Sequence, residues 1–180
     1  MNHEPRQEWN EPIRIRRLDE TDPQMISDAF AQIGSVKPVG QFWQYLAEQA
    51  AETRVCLVVA VDGQFAGYVT VNWTPTYPGL AEAGFPEIQD LNVLPNFRRR
   101  GIGTRLLDEA EQVAGERSSV VGIGVGLHPG YNVAQRLYVK RGYVPDGRGV
   151  TYRDCYVEEG AKVLLDDDFV LHLTRQLPDR

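Results

Sequence analysis

A chain of 180 residues is long enough for one domain that buries roughly 70% of the surface its unfolded form exposes, and 42% hydrophobic with 24% charged residues excludes a disordered or fibrous protein. A formal net charge of -6 excludes a protein that coats nucleic acid by neutralising many phosphates; the acidity suits either a cationic substrate such as an amine or simple solubility. The two cysteines, Cys56 and Cys155, have neither metal-ligand spacing nor a secreted disulfide pattern, and no apolar run approaches the roughly 18 residues of a membrane span, so a cytoplasmic setting without membrane partner or metal is expected.

Residues 1–12 lack periodicity and read as a flexible leader to a single domain over 13–180. Ile13-Arg14-Ile15-Arg16 alternates as a half-buried strand does. Asp22-Pro23 offers an N-cap with proline at the first helical position, Met25, Ile26, Ala29, Phe30 and Ile33 recur on one face, and Gly34 stops the helix. After Lys37-Pro38-Val39-Gly40 a second helix repeats that spacing at Phe42, Trp43, Leu46, Ala47 and Ala50. Arg54 to Val61 is then valine-rich, Asp62-Gly63 marks a hairpin, and Phe65 to Trp73 alternates as the antiparallel partner. Thr74 to Pro86, with its prolines and glycines, reads as a rigid loop of the kind that borders ligand sites.

Glu87 to Leu94 reads as the next strand. The helix after Gly101 sets Ile102, Leu106, Leu107, Ala110, Val113 and Ala114 on one face against Asp108, Glu109, Glu111 and Gln112 on the other. Val120 to Leu127 is apolar enough to be covered on both faces, and a helical crossover makes it parallel to 87–94. A turn at His128-Pro129-Gly130-Tyr131 leads into a short helix, Asn132 to Arg141, closed by Gly142. Tyr143-Val144 begins a strand interrupted at Pro145-Asp146-Gly147, residues 148–168 form a hairpin or ordered insertion, and Phe169 to Leu177 closes as an alternating strand. The order β-α-α-β-β-β-α-β-α-β-β describes an α/β (α+β) fold: one mixed sheet of about seven strands with helices on both faces.

The chemistry concentrates in Arg98-Arg99-Arg100-Gly101-Ile102-Gly103-Thr104. It opens a helix, where outward N–H groups, the positive dipole end and adjacent arginines together favour a phosphate. The glycine-rich run Val121-Gly122-Ile123-Gly124-Val125-Gly126 is not a dinucleotide fingerprint, because the position three after Gly124 is Leu127.

Arg98-x-x-Gly101-x-Gly103 resembles the R/Q-x-x-G-x-G/A signature of the GNAT superfamily of N-acetyltransferases. Asn132-x-Ala134-x-x-x-Tyr138-x-x-x-Gly142-Tyr143 resembles the family's N-x-x-A-x-x-x-Y-x-x-x-G-F element, with the asparagine one residue closer to the alanine. Gly67-Tyr68-Val69 is similar to its third strand, and the element order over roughly 13–177 is also the family's. The resemblance implies a mostly antiparallel, twisted sheet whose fourth and fifth strands splay apart around acetyl-coenzyme A (acetyl-CoA). Backbone groups at Leu91 and Val93 would then pair with the pantetheine arm. Arg98, Arg99, Arg100, Gly101, Ile102, Gly103 and Thr104 would hold the pyrophosphate.

The resemblance further implies that Asn132 bonds the cofactor, although strict register puts that role at Tyr131, while Asn132 also suits a helix N-cap. Tyr138 would protonate the departing thiolate. Glu87 falls where the histone-acetyltransferase branch places its catalytic glutamate; Asp90, His128 and ordered water are alternatives for the base. The implied activity is direct transfer of acetyl to a primary amine in a ternary complex. A catalytically silent acyl-CoA sensor of the same fold is the alternative. The amine, on a small molecule or a peptide, stays open, and a homodimer is common in the family.

Overall fold

The computed structural model describes residues 13–178, so the leader expected over 1–12 lies outside the described residues. Among them, β1 (Arg14–Arg17), β2 (Arg54–Val61), β3 (Gln64–Asn72), β4 (Glu87–Val93), β5 (Val120–Gly126), β6 (Val144–Tyr152), β7 (Cys155–Tyr156) and β8 (Phe169–Gln176) form one sheet ordered β1-β2-β3-β4-β5-β8-β6-β7. The pair β4–β5 is parallel and every other neighbouring pair is antiparallel. The strand beyond the expected seven is the two-residue β7, which lies within the 148–168 stretch.

The helices α1 (Asp22–Ala31) and α2 (Val39–Ala50) cover one face, burying Ile26, Phe30 and Phe42 against Cys56, Val58 and Tyr68. The helices α4 (Ile102–Ala114) and α5 (Asn132–Lys140) cover the other, where Leu106, Leu107, Ala110 and Tyr138 meet Val69, Val71, Ile88, Val121, Ile123 and Val125. With both faces covered, β2 and β3 are buried almost throughout, which explains their near-continuous apolar sequence. Asp62 and Gly63 take φ of 48° and 73°, the left-handed pair that a tight hairpin needs. The loop 74–86 carries a short helix, α3 (Pro78–Ala81), that the prolines hid in the sequence; its Leu80 packs over Gly122. Glu111, expected on the solvent side of its helix, is buried because Arg141, Arg175 and the Tyr143 hydroxyl converge on its carboxylate.

The feature that positions the site lies in β4. It pairs with β5 only at Glu87↔Gly122 and Ile88↔Ile123. The register with β3 then shifts between Tyr68 and Thr70, and Asp90 takes φ of 55°, a bulge that turns the strand. Past that point β4 and β5 part, leaving a gap in the middle of the sheet.

Candidate active site

At one end of the gap a 3-10 turn (Pro95–Phe97) delivers the chain to α4. No side chain caps α4, so its first-turn N–H groups from Ile102 to Thr104 lack intrahelical partners. Gly101 takes φ of 80°, a conformation that favours glycine irrespective of any ligand. Gly103 differs: a Cβ there would meet only Val93 Cγ2, at 3.8 Å, so the packing does not demand a glycine and the space above the turn is open. Such a cradle of outward N–H groups, flanked by the exposed Arg98 and Arg99, fits a pyrophosphate. Arg98 also ties the loop to the strand, its Nε donating to Val93 O at 2.9 Å.

Leu94 N–H donates to Ala66 O on β3 at 2.9 Å. Because strand backbone groups alternate, the N–H groups of Val93 and Leu91 turn from β3 toward the gap. On the α5 side, Tyr138 is 5% exposed and its hydroxyl has no hydrogen-bond partner among the described residues. Burial pushes its pKa up, so it holds its proton at neutral pH. Asn132 is the first residue of α5 rather than its cap, which is Tyr131, and its side chain is exposed. It is Tyr131 that lies over the strand end, close enough that a Cβ on Gly126 would fall 2.4 Å from its ring. Burial and the neighbouring Asp167 push the Tyr131 hydroxyl up to about 12.

The base candidates occupy distinct surroundings. Asp90 accepts from Tyr45 Oη at 2.6 Å, Gln41 Nε2 at 2.7 Å, Tyr68 Oη at 3.2 Å and Lys37 Nζ at 3.2 Å, which engages its carboxylate with donors from α2, β3 and the α1–α2 loop. His128 is likewise engaged: Nδ1 accepts from Gly130 N at 3.0 Å, and Nε2 meets Asp167 Oδ1 at 2.8 Å.

Glu87 is 4% exposed, on the first of the two closed rungs that precede the gap. Burial pushes it up to about 7, against a single side-chain donor, Gln89 Nε2 at 2.7 Å. Gln89 is oriented in turn by Arg54 Nη1, 3.0 Å from its Oε1, and Arg54 also donates to Thr70 and pairs with Glu48. His172, stacked on Tyr77, brings Nδ1 to 3.6 Å from Glu87 Oε1. These polar groups face away from Ile88 and the aliphatic core, toward Gly124. Among the described residues no cluster of His, Cys, Asp and Glu is arranged to hold a metal, and no helix is long and apolar enough to cross a membrane.

Tyr77, Gln89, Arg54 and His172, which come from a loop and three strands, are not among the site residues that the sequence singles out. The signal present was the alternation Gly122-x-Gly124-x-Gly126, because a strand face bare of side chains must receive bulky groups from elsewhere.

A family profile described as "Acetyltransferase (GNAT) family" matches residues 15–143, and the chain belongs to that family. Similar solved structures include a GNAT-family protein from Desulfovibrio desulfuricans, 17% identical, covering 92% of this chain and 99% of its own with a TM-score of 0.68. The ribosomal-protein-alanine N-acetyltransferase of Brucella melitensis is 20% identical over 91% of this chain and 99% of its own, TM-score 0.66. A Salmonella typhimurium protein solved with its cofactor acetyl-CoA is 19% identical over 94% and 96%, TM-score 0.67. At these identities the likeness speaks for the fold. No curated protein matches the chain closely enough to count as a relative.

Proposed function

We propose that this protein transfers the acetyl group of acetyl-CoA to a primary amine by direct attack. The observation that carries the reading is the gap between β4 and β5, lined on one side by the N–H groups of Leu91 and Val93 and ending at the uncapped start of α4. In this reading the N–H groups from Ile102 to Thr104, with Arg98 to Arg100, hold the pyrophosphate. Acetyl-CoA supplies the activated acetyl group as a thioester. The Val93 N–H polarises its carbonyl, and Tyr138 gives a proton to the departing sulfur. Tyr138 suits that role because it is protonated at neutral pH and its hydroxyl is not committed to another described residue.

The base is Glu87, receiving the amine's proton directly or through ordered water. A carboxylate near pKa 7 accepts a proton more readily than an ordinary one, and Asp90 is committed to four donors. Acid and base thus stand on opposite faces of the sheet, and the gap joins them. No covalent cysteine step is needed: Cys56 is buried in β2 and burial keeps its thiol protonated, while Cys155 is exposed on β7. Thermal stabilisation by acetyl-CoA, with CoA-thiol release over an amine panel, tests the reading; stabilisation without release on any amine favours a sensor.

A further inference from the structure

His172, Thr151 and Tyr77 have no part in the transfer as described, yet His172 faces its base and is held in turn by the other two. His172 opposes Gly124 across β5–β8 and is 2% exposed. Its ring stacks on Tyr77 with centroids 3.6 Å apart and planes 3° from parallel, which fixes its orientation. Nε2 lies 3.1 Å from the hydroxyl of the buried Thr151. Nδ1, with Trp73 Nε1, is a buried polar atom without a hydrogen-bond partner among the described residues. It faces Glu87 Oε1 at 3.6 Å, the carboxylate oxygen that Gln89 does not use. That separation is long for a hydrogen bond and closes with a shift of under about 1 Å. Gly124 leaves the room: its missing Cβ would stand 3.5 Å from His172 Cε1 and 3.6 Å from Glu87 Oε1.

We propose that His172 is a positioning residue for Glu87, sharing one proton with it between Nδ1 and Oε1 and changing tautomer with the charge of the carboxylate. The proposal rests on the reading of Glu87 as the base. With Glu87 ionised, Nδ1–H donates to Oε1 and the Thr151 hydroxyl donates to a bare Nε2. With Glu87 protonated, Oε1–H donates to a bare Nδ1 and Nε2–H donates to Thr151 Oγ1. The second state holds one proton more, the one taken from the amine and carried on Oε1; the ring gives up its Nδ1 proton and takes one on Nε2 by exchange with water, so the imidazole is neutral in both.

Gln89 cannot act this way. Its Oε1 is held by Arg54 at 3.0 Å and approached by Asn72 at 3.4 Å, so its amide always donates to Glu87 and favours the ionised form alone. Arg54 on β2 also favours the ionised form, and Asp154, in the turn after β6, opposes it. Burial keeps His172 neutral against Asp154 and Asp146. A buried carboxyl that must be both base and acid within one turnover needs a partner able to donate and to accept, and His172 with Thr151 provides one.

The test is nitrogen-15 NMR of the histidine ring nitrogens between pH 5 and 9, with carbon-13 titration of the Glu87 carboxyl and His172 assigned from His172→Gln. The expected result is a neutral imidazole whose Nδ1 changes from bare to protonated at the midpoint of Glu87. In Glu87→Gln the expectation is a single tautomer throughout. His172→Gln keeps an amide within reach of Thr151 and removes Nδ1, so it is expected to raise the Glu87 midpoint by about one pH unit, the charged form losing more from a missing partner. A single tautomer through the Glu87 midpoint, or a Glu87 midpoint unmoved in His172→Gln, overturns the proposal. If Glu87→Gln retains full CoA release, the base reading fails instead, and the NMR result still decides whether the proton is shared.

Discussion

β5 turns Val121, Ile123 and Val125 toward α4 and α5, and Gly122, Gly124 and Gly126 toward Leu80, His172, Glu87 and Tyr131. The first side is an aliphatic core in which residues of similar volume substitute for one another. On the second, glycines leave room for Leu80, His172 and Tyr131; polar contacts run from Glu48 through Arg54 and Gln89 to Glu87, and His172, bonded to Thr151, stands 3.6 Å beyond. One strand thus stabilises the fold with one face and leaves room for a titratable carboxyl on the other. In the proposed function the gap is where a substrate reaches both.

The largest effect expected lies at the gap's phosphate end. Gly103→Glu, which sets a carboxylate and its stem where a Cβ alone has open space, is expected to weaken acetyl-CoA binding by about 100-fold or more, near 3 kcal/mol, in calorimetric titration. Tyr138→Phe tests the acid proposed on the aliphatic side: turnover is expected to fall by about 100-fold with acetyl-CoA affinity within about twofold.

Glu87→Gln separates the faces through pH. The folded protein holds a proton on Glu87 up to about pH 7 that the unfolded chain releases near 4.5, so stability falls as pH rises through that window. The glutamine variant is expected to lack this fall and to gain up to about 3 kcal/mol over the parent at pH 8, with little difference near pH 4, in urea unfolding. Gly126→Ala, whose methyl would stand 2.4 Å from the Tyr131 ring, is expected to cost about 1–3 kcal/mol by the same measurement. The smallest effect belongs to the aliphatic side: Ile123→Val is expected to cost about 1 kcal/mol and to leave the pH dependence of stability unchanged.

The two regions also differ in how far they could be read from sequence. The loop from Arg98 to Thr104 and the helices α1, α4 and α5 were legible because caps, glycines and apolar spacing are local signals. Gly142, with φ of 87°, closes α5 where the sequence put its end. The splay was legible only through the family resemblance, since its physical cause is a bulge at Asp90 that no spacing announces. Glu87 is a candidate in the sequence, but its burial is not legible there, because His172, whose ring faces its carboxylate, lies 85 residues after it in the chain. Glu111 was misjudged for the same reason: the arginines that bury it lie on α5's end and on β8.

The most direct measurement is CoA-thiol release from acetyl-CoA over an amine panel, between pH 5 and 9, for the parent protein and Glu87→Gln. Release with at least one amine is expected, rising through pH about 7 in the parent, with turnover lower by about 100-fold and without that rise in the variant. Release that is independent of pH across this range, or undiminished in Glu87→Gln, would contradict the reading of Glu87 as the base.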